Sequence, residues 1–158
     1  MNTFPIEFLN QMQHMLGDEY PAFLLAMEQP ASLALRLNPK RANAEEAASV
    51  LIDSNVPWAK YGRYLKPTDI KPGSTILHAA GAFYMQEASA MVSAAVLEAH
   101  PGEKILDLCA APGGKSFAAA IATGGKAQII SCDVHEHKAE LIAKGAQRLG
   151  LPIQAMQQ

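Results

Sequence analysis

The sequence predicts an α/β fold, in which a doubly wound parallel sheet follows a smaller α+β module. Three consecutive features point to the parallel sheet. Residues 104–108 form a short apolar run that fits a buried strand, and a tight loop with one proline and two adjacent glycines comes next. An alanine-rich stretch at 116–123 then fits a helix. Strand, glycine turn and helix in this order form the first unit of a doubly wound nucleotide-binding sheet.

The loop favours a bound ligand, because glycine lets the backbone turn sharply and approach closely, and the first N–H groups of a helix lack partners within it. The dinucleotide pattern G-x-G-x-x-G is absent. The ATP-binding pattern G-x-x-x-x-G-K-S/T fits only at its end, since Cys109 occupies the place of its first glycine. Pro112 also removes an amide donor that a phosphate cradle uses. An ordinary strand-to-helix turn remains a further interpretation.

The run LDLCAAPGGKS at 106–116 resembles the S-adenosylmethionine loop of the RNA cytosine-5 methyltransferases of the Nop/Sun family. The segment FYMQEASAM at 83–91 is similar to the segment that precedes that loop in the same family. Residues from 8 to about 65 resemble the leading domain of the bacterial ribosomal-RNA branch. The resemblance covers nearly all of the chain, but not all of the family's catalytic domain.

The resemblance implies a Rossmann-like S-adenosylmethionine methyltransferase domain. The residues expected to bind S-adenosyl-L-methionine are Cys109, Ala110, Ala111, Pro112, Gly113, Gly114, Lys115 and Asp133. Asp133 ends the next predicted strand, 127–132, where an acid about 20 residues beyond the glycine loop can accept hydrogen bonds from both ribose hydroxyls. Glu136 and Glu140 are the alternative acids, but we expect them on the solvent face of a helix.

The same resemblance indicates which catalytic group is missing. Cytosine C5 is too weak a nucleophile to attack the methylsulfonium directly, and the family uses a cysteine thiolate that adds to C6. Those family cysteines follow later strands in Pro-Cys and Thr-Cys contexts, which residues 1–158 lack. Cys109 and Cys132, each at the end of a predicted buried strand, are expected to be reduced and inert. We therefore assign no catalytic residue and expect this amino-terminal fragment alone to be inactive.

Ribosomal RNA is the expected partner. Two other functions remain open, a non-catalytic RNA- or cofactor-binding module and a P-loop nucleotide-binding protein.

In this class of fold the strand before the glycine loop is central, and we expect its uncovered edge to lead to self-association or to bind a complementing chain. A net charge of −2 by itself argues against nucleic-acid binding, although residues 28–77 are slightly basic.

We expect a cytoplasmic protein, because no secretory signal is apparent and no apolar run approaches the ~18 residues of a membrane span. No histidine has a partner at metal-ligand spacing, so no metal is expected. Arg36 and Arg63, each considered alone, are expected at the surface in pairs with Glu45, Glu46 or Asp53. Trp58 is expected to fill a place in the core.

The expected domains are an amino-terminal auxiliary, RNA-contacting α+β domain at 1–77 and the first part of the cofactor domain at 78–158. Predicted helices lie at 5–16, from Asp18 to about 28, and at 43–54, 87–99, 116–123 and 135–149. Predicted strands lie at 32–38, 61–65, 75–78, 82–85, 104–108, 127–132 and 151–156.

Overall fold

The computed structural model describes residues 4–158, which divide into two compact units, one ending at Ser32 and the other running from Leu33 to Gln158. The first unit contains helices α1 (Ile6–Leu16) and α2 (Tyr20–Glu28). Both were predicted. The aromatic rings of Phe8 in α1 and Phe23 in α2 have their centroids 6.2 Å apart, so they connect the two helices.

The second unit begins with a four-stranded antiparallel sheet of order β2-β3-β1-β4. Its strands are β1 (Ala34–Leu37), β2 (Ile52–Asn55), β3 (Gly62–Leu65) and β4 (Phe83–Met85). Two short helices, α3 (Ala44–Ala48) and α4 (Ile76–Ala79), accompany it. The domain boundary expected at 77/78 stays a prediction, and β4, which lies beyond that position, pairs with β1 in this sheet.

A parallel three-stranded sheet of order β5-β6-β7 follows. Its strands are β5 (Lys104–Asp107), β6 (Gln128–Asp133) and β7 (Ile153–Gln157). Helix α5 (Val92–Leu97) precedes it, and α6 (Gly114–Ala122) and α7 (Glu136–Leu149) are the two crossovers. The alternation of parallel strands and helices confirms the predicted α/β fold. No helix within 4–158 is long and apolar enough to cross a membrane.

The core of the parallel half lies against α6 and α7. Phe117, Ile142 and Leu149 are fully buried in it. Alanines occupy most of the remaining positions of α6 that face the core, so the helix can approach the sheet closely. Gly145 of α7 is needed for the same reason, because a Cβ at that position would lie 2.7 Å from the ring of Phe117.

Strand β1 is buried on both faces, whereas its alternating pattern predicted a half-buried strand. Leu35 and Leu37 belong to the hydrophobic cluster that includes Phe83. Arg36 and Asn38 alternate with these leucines and are also buried. The Asn38 Nδ2 atom donates hydrogen bonds to the carbonyl oxygens of Gly81, at 2.9 Å, and Leu149, at 2.8 Å. Asn38 thereby connects the antiparallel sheet to the end of α7.

Two predicted elements are wrong, and a third is too long. Residues 52–55 form β2 and not the end of a helix from 43 to 54, because Ile52 pairs with Leu65 and a sheet partner overrides local helix preference. Residues 76–79 form a helix where 75–78 was predicted as a strand, and Thr75 Oγ1 accepts a hydrogen bond from the N–H of His78. The helix predicted at 87–99 is shorter, since α5 ends before Glu98, whose φ is +47°.

We predict that Asn38→Ala lowers the free energy of unfolding by about 2–4 kcal/mol, because two buried carbonyl groups lose their donor. Urea denaturation followed by circular dichroism measures the loss. Asn55→Ala is the matched control, since Asn55 is exposed on β2, and it is expected to change stability by less than about 0.5 kcal/mol. Equal losses for the two variants would contradict the bridging role of Asn38.

Candidate cofactor site

The glycine loop lies between β5 and α6, at the carboxyl end of the parallel sheet. The N–H of Ala110 donates to the carbonyl oxygen of Cys132 at 3.0 Å, which ties the loop to the end of β6. The N–H of Gly113 then donates back to the carbonyl oxygen of Ala110 at 2.6 Å. These two hydrogen bonds hold residues 110–113 in a tight turn directly before the first turn of α6.

Glycine is required at the first of two adjacent positions in this turn and favoured at the second, for different reasons. Gly113 has a φ of +109°, in the region that favours glycine, and a Cβ there would overlap the ring of Phe117. A Cβ at Gly114 would lie 3.1 Å from Gln86 Nε2 and 3.2 Å from Tyr84 Cε1. The first glycine thus permits the backbone conformation, and the second permits close contact with β4 and the residue that follows it.

The antiparallel sheet also holds the loop through Arg36. Its Nη1 atom donates to the carbonyl oxygen of Gly114 at 2.9 Å. Only 4% of Arg36 is exposed, and burial lowers its pKa to about 10. The expected pairing with a surface acid is wrong, since no ion pair within 4–158 involves Arg36. The position on β1 places the guanidinium beneath the loop, away from the acids of α3.

Arg63 and Trp58 also lie in surroundings that differ from those predicted. Arg63 does pair with Glu45, at 2.7 Å, but its side chain is buried in β3 and not at the surface. Trp58 is not in the core, because it is 43% exposed. Its Nε1 atom donates to the carbonyl oxygen of Ala88 at 2.8 Å, which fixes the edge of the indole in place.

Asp133 lies at the end of β6, beside the strand that leads into the loop. It is 9% exposed, and its Oδ1 atom accepts a hydrogen bond from the N–H of His135 at 3.1 Å. Lys138 Nζ lies 4.0 Å from the same oxygen. Its other oxygen, Oδ2, accepts no hydrogen bond from the part of the chain that the structure describes. The alternative acids, Glu136 and Glu140, are exposed on α7, as expected.

A cleft of about 460 Å³ lies along β5, between α5 and α6. Of the predicted cofactor residues it brings together Cys109 and Lys115, whereas Asp133 and residues 110–114 do not line it. Cys109 is exposed, in contrast to the buried position expected for it, because the strand ends at Asp107 and the loop has already begun. Cys132 is 2% exposed, within β6.

Sequence reasoning did not single out Asp107 and Ser116, two polar residues that line this cleft. Ser116 Oγ donates to Asp107 Oδ2 at 2.7 Å, and Ser131 Oγ donates to Ser116 Oγ at 2.7 Å. This chain of hydrogen bonds links β6, α6 and β5. The one signal in the sequence was Asp107 itself, an acid inside an apolar strand. In residues 4–158 no group of three or more His, Cys, Asp or Glu could hold a metal.

The edge of β5 that does not pair with β6 has no strand partner among residues 4–158. Leu106 and Leu108, which line the cleft along this edge, are 59% and 58% exposed. Exposed apolar side chains beside an open strand edge form a surface that another chain segment can cover.

We predict that Gly113→Ala destabilises the protein by at least about 1–3 kcal/mol, because alanine must adopt a positive φ and its Cβ overlaps the ring of Phe117. Gly73→Ala is the control, since a Cβ at Gly73 would meet no atom within 4 Å. Differential scanning calorimetry compares the two variants. The same melting temperature in both would show that the turn does not need glycine at position 113.

Comparisons with known proteins agree with this architecture. A family model described as the N-terminal domain of 16S rRNA methyltransferase RsmF matches residues 4–88. A second, described as 16S rRNA methyltransferase RsmB/F, matches residues 94–158. The chain is 29% identical over 160 residues to ribosomal RNA small subunit methyltransferase F of Enterobacter sp. (strain 638). That match covers 94% of this chain and 33% of the relative, so the chain spans about a third of the length of such relatives.

Solved structures show the same similarity. A methyltransferase homolog protein from Pyrococcus horikoshii shares 27% identity and a TM-score of 0.82, over 98% of this chain and 52% of that one. NSun6 from Pyrococcus horikoshii, solved with SFG, shares the fold at 17% identity and a TM-score of 0.80, over 98% of this chain and 65% of that one. These findings confirm the resemblance seen in the sequence. The chain belongs to the family described as the N-terminal domain of 16S rRNA methyltransferase RsmF, which matches residues 4–88, and its residues 94–158 match the 16S rRNA methyltransferase RsmB/F model.

Proposed function

We propose that this chain holds the S-adenosylmethionine site of an enzyme that methylates C5 of a cytosine in ribosomal RNA. One observation carries the proposal. The glycine loop after β5 and the carboxylate of Asp133 at the end of β6 lie at the same end of a parallel sheet, joined by the hydrogen bond between Ala110 and Cys132. Doubly wound sheets bind nucleosides and nucleotides at this end, and the acid after the second strand binds the ribose.

The chemistry of the available groups fits a charged nucleoside. The first N–H groups of α6 have no carbonyl partner within the helix and lie directly after the glycine turn. Asp133 has a carboxylate oxygen that remains able to accept a hydrogen bond from a ribose hydroxyl. Lys115 lines the cleft, and in this proposal its positive charge neutralises the carboxylate of the methionine end. We therefore propose residues 109–115 and Asp133 as the binding residues.

When bound, the cofactor supplies a methyl group on a positively charged sulfur. Transfer to cytosine C5 also requires a nucleophile that adds to C6. Cys132 is enclosed in β6, and Cys109 is the first residue of the proposed cofactor turn, so we place neither in that role. In this proposal, residues 1–158 bind and orient the cofactor, and methyl transfer belongs to the whole protein. Its ribosomal RNA substrate would place it in the cytoplasm.

The open edge of β5 is the proposed contact with the rest of the catalytic machinery. The cleft along this edge combines exposed leucines with Asp107 and Lys115, close to the proposed methionine end. We propose that a complementing segment, from a longer chain or from a second copy, covers this edge.

No observation favours a phosphate loop. Ser116, which would have to bind a metal–phosphate group in that case, is 1% exposed and donates its hydroxyl hydrogen to Asp107. Pro112 has no N–H to offer a phosphate.

We predict that Asp133→Asn weakens binding of S-adenosylhomocysteine by about 10–100-fold, because hydrogen bonds to a charged acceptor contribute about 1.5–3 kcal/mol. The amide oxygen of asparagine still accepts the hydrogen bond from His135, so the start of α7 is preserved. Isothermal titration calorimetry measures the affinity. Glu140→Gln is the control, since Glu140 is an exposed acid on α7, and its affinity is expected to match that of the wild type.

Unchanged affinity in Asp133→Asn would refute the ribose contact. Binding of ATP by the wild-type chain, with none of S-adenosylhomocysteine, would overturn the assignment of the cofactor. The full-length protein, measured in parallel, shows whether the complementing segment is needed for binding.

A further inference from the structure

A second cavity, of about 300 Å³, lies between β1, the segment at 58–61, α5 and α6. It shares Ala94 with the cleft along β5, but none of the proposed cofactor residues line it. Much of its wall is formed by alanines of α5 and α6, which leave open space between the helices. Two cationic and two aromatic residues also line it, namely Arg36, Lys60, Trp58 and Tyr61.

Arg36 is the most deeply buried charged residue that lines this cavity. A guanidinium carries five N–H donors, and the structure shows one hydrogen bond for this one, to the carbonyl oxygen of Gly114. The side chain is almost fully buried and forms no ion pair within residues 4–158. A buried cation without a counter-ion is unfavourable unless a ligand supplies the negative charge. Arg63, by comparison, is buried on the same sheet but has Glu45 as its partner.

The other three side chains suit a nucleotide. Lys60 Nζ lies 5.4 Å from the centre of the Tyr61 ring, so an ammonium and an aromatic face are held together at one wall. Trp58 is 43% exposed, and the bond from its Nε1 atom to the Ala88 carbonyl oxygen holds the indole in place. An indole fixed by its edge has a face that can stack on a base without losing further rotational freedom.

We propose that this cavity binds one unstacked nucleotide of a single-stranded RNA segment, with its phosphate at Arg36 and Lys60 and its base on Trp58. The proposal rests on the RNA substrate proposed above and adds a binding site apart from the cofactor site. Arginine matches phosphate geometry through paired N–H donors, and stacking on tryptophan accepts any base. The volume is at the lower end of the range for small-ligand pockets, which matches a single nucleotide.

Glu98 also lines the cavity and opposes phosphate binding. It pairs with neither cation in the described residues, so the wall carries two positive charges against one negative charge. We therefore expect modest affinity that falls as salt concentration rises.

Trp58 is the single tryptophan of the chain, so tryptophan fluorescence reports on this cavity alone. We expect unlabelled decacytidylate to quench or shift that fluorescence at low salt. The midpoint should coincide with binding of the same labelled oligonucleotide in an anisotropy titration. By anisotropy, Trp58→Ala is expected to weaken binding at least fivefold, because stacking contributes about 1–3 kcal/mol per base. Lys60→Gln should weaken binding about threefold to tenfold.

Lys66→Gln is the matched control, since Lys66 is an exposed lysine outside the cavity, and its effect should be less than about twofold. Oligonucleotide binding without a change in tryptophan fluorescence, or equal effects of Lys60→Gln and Lys66→Gln, would overturn the inference. So would absence of oligonucleotide binding at low salt. Calorimetry with S-adenosylhomocysteine on the same wild-type preparation tests the cofactor site separately, so the proposed function can stand if this site fails.

Discussion

Hydrogen bonds from two buried polar side chains, one in β1 and one directly after it, to main-chain carbonyl groups connect the two halves of the larger unit. Arg36 donates to Gly114 at the start of α6, and Asn38 donates to Leu149 at the end of α7. A leucine face on the other side of the same strand packs into the antiparallel half. Because unpaired buried carbonyls and an unsatisfied guanidinium are costly, these bonds favour one arrangement of the two sheets. The antiparallel sheet therefore helps to hold the glycine loop in place.

This connection also links the two proposed binding sites. The Arg36 side chain contacts the peptide of Gly114 and lines the cavity that contains Trp58. A ligand that draws the guanidinium toward the cavity would act on the same group that holds the glycine turn. Arg36 thus contacts the glycine turn and also lines the proposed nucleotide site, although the residues that line the two sites differ. Such a shared group provides a direct physical route by which binding at one site can affect the other.

The sequence predicted the parallel half well, because its strands, glycine turn and acid follow one another locally. The end of β6 at Asp133 and the loop at 109–113 lie where the pattern placed them. The sequence predictions failed where contacts between residues far apart in the chain determine the structure. The local sequence of residues 52–55 favours a helix, but they form a strand because they pair with β3. Arg36 has the sequence context of a surface residue, but it is buried beside Gly114, which lies 78 positions away in the chain. The cavity around Trp58 could not be predicted, since it is formed by segments far apart in the chain.

We propose that the glycine loop and Asp133 form one cofactor site. Hydrogen–deuterium exchange of the backbone amides, with and without S-adenosylhomocysteine, tests it most directly. We expect slower exchange in two separate segments, the loop and first turn of α6 at 110–117 and the residues from the end of β6 to the start of α7 at 133–136. Protection confined to one of these segments, or found only elsewhere in the chain, would contradict it.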